Sequence, residues 1–263
     1  MTAMPAVFIG HGLAINAALT NEFSRALQAL GARLPLPSAI AVISAHWSTH
    51  EIRVTSTQHP RQIFDSIEFQ EELHEITYEP SGDPALAAHI VEMLHTAKID
   101  ASLDPTRGID TGVWGILVHL FPEANIPVVE ISLSFHVDTT KIMAVAKSLS
   151  TLREEGVLII GSGGLVHNLY EMSKNIDTKP PSWAVESDRK LAEIIESGSA
   201  SALSEYVLQN LGQSLAIPTP EHILPAIATL ALKTDQDRIS LIYDAFQNST
   251  ISLRSFIVEQ PSA

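Results

Sequence analysis

Ala6-Val7-Phe8-Ile9-Gly10-His11-Gly12 reads as a short apolar run that stops at a histidine held between two glycines. A compact apolar run bounded by glycine is the pattern of a strand covered on both faces. Ala39-Ile40-Ala41-Val42-Ile43-Ser44 repeats it before Ala45-His46-Trp47, and Val157-Leu158-Ile159-Ile160 passes through Gly161-Ser162-Gly163-Gly164 towards His167. In an open parallel sheet, ligands bind outside the carboxyl ends of the strands. Three histidines delivered to that edge can converge although they lie far apart in the chain. His222, in Thr219-Pro220-Glu221-His222, is a fourth candidate, because loops of the same edge can bring it there.

Between these runs the periodicity is helical. Phe23, Ala26, Leu27 and Leu30 recur at helical spacing over residues 21–30, and Pro35 and Pro37 end that pattern. Asp83 as N-cap and Pro84 at the first position predict a helix over 84–94. Residues 113–120 read as a helix stopped by Phe121-Pro122. Asp138 caps a helix over 139–152, and 183–208 reads as one long helical pattern. Thr219 as N-cap opens a helix to about residue 232. Further strands are expected at 52–55 and 127–133, with closing strands at 238–243 and 251–258, and the long surface loop at 175–182. Strands alternating with helices of about a dozen residues predict an α/β fold: a single domain over 1–263 with a mainly parallel central sheet flanked by helices.

Composition narrows the function. Lys+Arg number 16 against Asp+Glu 30, a formal net charge of −14, without the clustered cations that a nucleic-acid partner requires. Cysteine is absent, which excludes a disulfide scaffold, a cysteine nucleophile, thiolate zinc and iron–sulfur clusters. No uninterrupted apolar stretch approaches the ~20 residues of a membrane helix, and the N-terminus lacks the basic region of a secretory leader. A cytoplasmic protein with no membrane partner, monomeric or homodimeric, is expected.

Neutral imidazoles suit Fe(II), Zn(II) and other first-row metals. Two or three of them with open positions make a catalytic site, whereas a structural site closes its sphere. Gly10 and Gly12 fit a backbone that bends tightly around His11 and admits a ligand. His50, His59, His74, His89, His95 and His119 read as ordinary surface or core residues, and His136 follows the third strand towards the site. Two other chemistries stay open at the glycine turn. It could cradle a phosphate, although it lacks the Lys-Ser/Thr of a P-loop, and Ser162 could be a nucleophile, although the Gly-x-Ser-x-Gly spacing is not met. Trp47 and Trp114 read as core aromatics.

Five motifs occur in order: Ile9-Gly10-His11-Gly12, Ser44-Ala45-His46-Trp47, Gly108-Ile109-Asp110-Thr111-Gly112-Val113-Trp114, Gly161-Ser162-Gly163-Gly164-Leu165-Val166-His167-Asn168 and Thr219-Pro220-Glu221-His222. Together they resemble the class III (LigB-type) extradiol ring-cleavage dioxygenases, in particular the branch that includes DOPA 4,5-dioxygenases. The resemblance implies a non-haem Fe(II) enzyme that opens the ring of a catechol-like aromatic with O2. It implies that His11, His46 and His222 hold the metal, with Zn(II) able to occupy the same site. It casts His167 as the catalytic acid–base and a possible further ligand, and leaves Glu221 as a carboxylate alternative. The substrate wall departs from the family pattern. Leu13-Ala14 stands where the family has Ser-Pro, Thr111 where it has a histidine, and Asp65-Ser66-Ile67-Glu68-Phe69-Gln70 where it has Asp-Phe-x-Gly-Phe-Pro. Thr111, Asp110, Trp47 and Leu13 are therefore expected to line an altered substrate pocket. The rival readings are a zinc-dependent hydrolase or lyase on the same scaffold and a metal-stabilised binding protein without turnover.

Overall fold

The computed structural model describes residues 3–66, 70–135 and 138–261. The elements follow the order β1 (Ala6–Gly10), α1 (Glu22–Arg33), β2 (Ala39–Thr49), β3 (Ile52–Thr55), α2 (Gln70–His74), α3 (Pro84–Thr96), β4 (Ala101–Asp104), α4 (Thr111–Leu120) and β5 (Val128–Ser134). Then come α5 (Thr139–Ser148), β6 (Val157–Gly163), α6 (Ser182–Glu196), α7 (Ala200–Asn210), α8 (Leu224–Ala231), β7 (Arg238–Tyr243), β8 (Phe246–Gln247), β9 (Ile251–Ser252) and β10 (Ser255–Glu259). Eight strands form one sheet in the order β4-β3-β5-β2-β6-β1-β10-β7. Its four central strands, β5-β2-β6-β1, run parallel, while β10 and β7 on one side and the β3–β5 pairing on the other are antiparallel.

Alternation along the central strands separates two apolar layers. Phe8, Ala41, Ile43 and Ile159 pack with α3, α5, α7 and α8, whereas Val7, Ile9, Ile40, Val42, Leu158 and Ile160 pack with α1 and α4. Covering both faces is what makes these strands read as unbroken apolar runs. The caps follow the sequence. Asn21 accepts from the Ser24 amide, Asp83 from the Leu86 amide and Asp138 from the Lys141 amide. A buried ion pair joins Arg153 to Asp237 at 2.9 Å, and the same guanidinium donates to the carbonyls of Met4 and Leu232.

Several boundaries differ from the sequence expectation. The pattern over 183–208 is two helices, because α6 stops at Glu196 and Ser199 caps α7 afresh. The last helix begins at Leu224, not after Thr219, since the Thr219 hydroxyl binds the Glu221 carboxylate at 2.6 Å and caps no amide. The run 251–258 splits, with β9 pairing with β8 and β10 pairing with β1 and β7. The helix over 139–152 ends at Ser148 and passes into a 3-10 turn at Ser150–Arg153. Sequence reading missed β4, a short edge strand, and α2. Among the described residues no helix is long and apolar enough to cross a membrane.

Candidate metal centre

The carboxyl ends of the central strands deliver the histidines, each by a different device. His11 follows β1 directly, and its amide donates to the Gly163 carbonyl at 2.9 Å, extending the β1–β6 ladder by one bond. Gly12 then turns with φ +67°, and a side chain there would run into Leu253 and the Asn16 amide. Asn16 donates to the His11 carbonyl at 3.1 Å and to Gln247 at 2.9 Å, and Gln247 in turn accepts from the Leu13 amide at 3.2 Å.

His46 sits in a bulge. The chain takes five steps from Ile43 to Ser48 along β2 while β5 takes two, from Ile131 to Leu133. Such an insertion lifts its residues out of the ladder and re-aims them. His222 precedes α8 and is drawn against the end of β6, where the Gly164 amide donates to its carbonyl at 2.7 Å. Gly163 is required there, because any side chain would collide with that carbonyl. His167 follows the glycine turn and is pinned by its amide to the Ala216 carbonyl at 3.1 Å.

The structure brings all four together. One ring nitrogen each of His11, His46 and His222 lies within 4.8 Å of the other two. The His11 ring centroid is 4.8 Å from that of His46 and 5.4 Å from that of His222. The His167 ring stacks on His222 at 3.6 Å with an interplanar angle of 9°.

Hydrogen bonds assign the tautomers. The Ser162 hydroxyl donates its only proton to the Gly112 carbonyl at 2.5 Å, so at 2.9 Å it must accept from His11 Nδ1. His11 Nε2 is then a bare lone pair, buried and without a partner. His46 Nδ1 lies 2.7 Å from Asp65 Oδ2, and His222 Nδ1 lies 3.1 Å from Glu221 Oε1. In each case Nε2 is left free.

The electrostatics favour the neutral ring at His11, His167 and His222 and the charged ring at His46. Burial and the neighbouring histidines push His11 well below its usual value, and burial followed by His222 and His46 does the same to His167. Burial also lowers His222, against the pull of Glu221. At His46 burial opposes the charge, but the hydrogen bond to Asp65 and the charges of Asp110 and Asp65 outweigh it and raise the ring. Burial alone would raise Asp65 and Glu221, yet their hydrogen bonds to His46 and His222 bring both carboxyls down to about 2.

An orphaned, buried imidazole nitrogen facing two others is costly unless something fills the space between them. Three imidazole nitrogens with an open side form the donor set of a catalytic first-row metal, so the residues present fit one. A second group, His46, Asp65 and Asp110, also comes within 4.8 Å. Its carboxylates are already spent: Asp110 accepts from Ser44 at 2.9 Å and from Arg107 at 3.0 Å, and Asp65 accepts from the Thr111 amide at 3.1 Å.

Of the residues expected to face substrate, Leu13 and Thr111 line a small cavity of about 20 Å³ beside His11 and His46, with Ala14, Ala17 and Ile116. Asp110 and Trp47 are not brought to that cavity. Asp110 is buried and accepts from Ser44 and Arg107, and Trp47 carries the Arg107 guanidinium 4.5 Å above its ring. The Thr111 hydroxyl donates to the Ile63 carbonyl at 3.2 Å. His136 lies outside the described residues, as do residues 67–69 of the altered stretch. Ser162 serves as the partner of the His11 ring. Sequence reasoning missed Asp65, whose only signal was its place at the head of that stretch.

Comparison with known proteins supplies a consistent picture. The family described as the catalytic LigB subunit of aromatic ring-opening dioxygenase matches residues 15–256, with His11 just ahead of the matched span. A 4,5-DOPA dioxygenase extradiol from Escherichia coli K12 is 35% identical over 258 residues, covering 97% of this chain and 94% of that protein. One of the same name from Portulaca grandiflora is 34% identical over 222 residues, covering 84% and 82%. The crystal structure of an uncharacterized Escherichia coli K12 protein superposes with a TM-score of 0.80 at 32% identity, covering 97% of this chain and 99% of that one.

Proposed function

The chain belongs to the LigB family of aromatic ring-opening dioxygenases, oxidoreductases of the extradiol type, and on that premise we propose that it is Fe(II)-dependent and opens the ring of a catechol-like substrate with O2. The observation that supports this most is the unpartnered His11 Nε2 facing the free nitrogens of His46 and His222, with His167 stacked alongside.

When bound, Fe(II) supplies Lewis acidity towards the substrate's oxygens and the redox chemistry that O2 requires. The chain's part is to hold and orient. His11, His46 and His222 bind through Nε2, and Ser162, Asp65 and Glu221 each hold the opposite ring nitrogen, which fixes ring direction and raises ligand basicity. His167 is kept uncharged by burial, so one of its ring nitrogens is free to take a proton from the second substrate hydroxyl and return it later. The Thr111 hydroxyl is neither an acid nor a base at neutral pH, and the stacking of His167 on His222 supports His167 as the group for these transfers. Leu13 and Thr111 shape the wall nearest the metal, Thr111 through its methyl group.

The all-imidazole donor set also suits Zn(II), on which the same site would activate water for hydrolysis. An oxygen electrode decides. Protein loaded anaerobically with Fe(II) should consume O2 with at least one member of a catechol panel and yield a visible-absorbing, ring-opened semialdehyde. No oxygen uptake across the panel, together with zinc-dependent ester or amide hydrolysis, would replace the proposal with the hydrolytic one.

A further inference from the structure

His11 and His222 take their ring partners from close at hand, Ser162 on the adjoining strand β6 and Glu221 next in the chain. His46 does not. It stands on a bulge, and its ring partner Asp65 belongs to a loop 19 residues further on.

That loop is tied down as a strap across the start of α4. The Ile63 amide donates to the Ile109 carbonyl at 2.8 Å, and the Ile109 amide to the Arg61 carbonyl at 2.9 Å. The Ile63 carbonyl accepts twice, from the Thr111 hydroxyl at 3.2 Å and from Trp114 Nε1 at 3.0 Å. Asp65 closes the strap. Its Oδ2 meets His46 Nδ1 at 2.7 Å and its Oδ1 accepts from the Thr111 amide at 3.1 Å. That amide is the first of α4, one of the donors a helix leaves unpaired, where a negative charge is favoured.

We propose that Asp65 is a positioning residue that sets the direction of His46, and that the Thr111 hydroxyl is the latch that holds the strap carrying it. Both Asp65 oxygens are engaged, one by the ligand and one by a rigid helix end, so the ring inherits the placement of α4. Residue 111 then acts on the metal centre through the Ile63 carbonyl, besides lining the cavity with its methyl group. This rests on the reading of His46 as a ligand, and the test separates the two.

The experiment titrates metal-free protein with Co(II), reading the visible ligand-field bands and the affinity by chelator competition, with thermal midpoints as a check on folding. Asp65→Asn is expected to weaken Co(II) binding by about 10–100-fold, the usual effect of losing such a partner, and to shift the bands. Asp65→Glu should recover part of both. Thr111→Val should shift the bands in the same direction by less, and Thr111→Ser should match the parent. If Asp65→Asn does not fold, the Thr111→Val and Thr111→Ser comparison carries the decision. Parental affinity and bands in Asp65→Asn, or a Thr111→Val protein indistinguishable from Thr111→Ser, would overturn the proposal. Loss of Co(II) binding in His46→Ala alongside such results would leave the ligand reading standing, whereas parental binding in His46→Ala would remove that reading itself.

Discussion

Gly163→Ala should cost far more function than stability. Gly163 ends β6 in register with Gly10, and a methyl group there would run into the His222 carbonyl oxygen and come within 3.3 Å of Pro225 Cγ. Carbon and oxygen settle at about 3.3 Å, so the carbonyl would have to retreat by on the order of 1 Å. The Gly164 amide holds that carbonyl at 2.7 Å, and the residue bearing it is a metal ligand in this account. Overpacking of this kind costs about 1–3 kcal/mol, which for a chain of this size lowers the melting midpoint by about 2–4 °C per kcal/mol. Misplacing a reacting group by 1 Å can cost about 10²-fold in rate. The neighbouring Gly164→Ala is the control, because its methyl group would meet the His167 ring at an ordinary 3.5 Å. Thermal melts, metal content and oxygen uptake should therefore show Gly163→Ala folded, metal-poor and slow, with Gly164→Ala retaining its metal. Parental metal content and turnover in Gly163→Ala would refute the argument that this close approach places His222.

His167→Gln should keep its metal and lose turnover by about 10²–10⁴-fold, the usual size of a general acid–base contribution; loss of metal in that variant would make His167 a ligand instead. Asp237→Asn breaks the buried pair with Arg153 and should destabilise the fold by about 3–5 kcal/mol in denaturant titrations at neutral pH. Burial would raise the Asp237 carboxyl, but the Arg153 and Thr234 hydrogen bonds outweigh it and hold it below its usual value. Its stabilisation is therefore present in full above the unfolded value of about 4 and lost as pH falls through the depressed folded value. The gap between parent and variant should close on that side, and a gap that did not change with pH would show that the pair contributes nothing through charge.

The parts of this site that the sequence exposes are those built from continuous chain. His11 and His167 are legible because they end or closely follow apolar runs, and the sheet rule then supplies the edge where they meet. His46 is legible as a residue but not as a bulge, since a bulge is a mismatch with β5 that appears only once the strands are paired. His222 is legible as a candidate from its motif, Thr219-Pro220-Glu221-His222, but its helix starts later than Thr219 suggests, and its placement comes from the β6 glycines and not from a cap. Asp65 was invisible as a partner of His46. Its role depends on a strap held by backbone bonds to Ile109 and side-chain bonds from α4, none of which leaves a periodic signature. Thr111 is expected at the substrate because it stands where the family has a histidine, and it does line the cavity; that its hydroxyl goes to the Ile63 carbonyl appears only in the fold. The break between α6 and α7 was masked by apolar spacing that continues across Ser197-Gly198.

The most direct test of the account is the source of oxygen in the product. Fe(II)-loaded protein turned over on a catechol under ¹⁸O2, with the product quenched before exchange and read by mass spectrometry, should yield a ring-opened molecule carrying oxygen from the gas. The His11→Ala, His46→Ala and His222→Ala proteins should yield none. A product that takes its new oxygen only from labelled water would contradict ring-opening dioxygenation and point to water activated at the same three histidines.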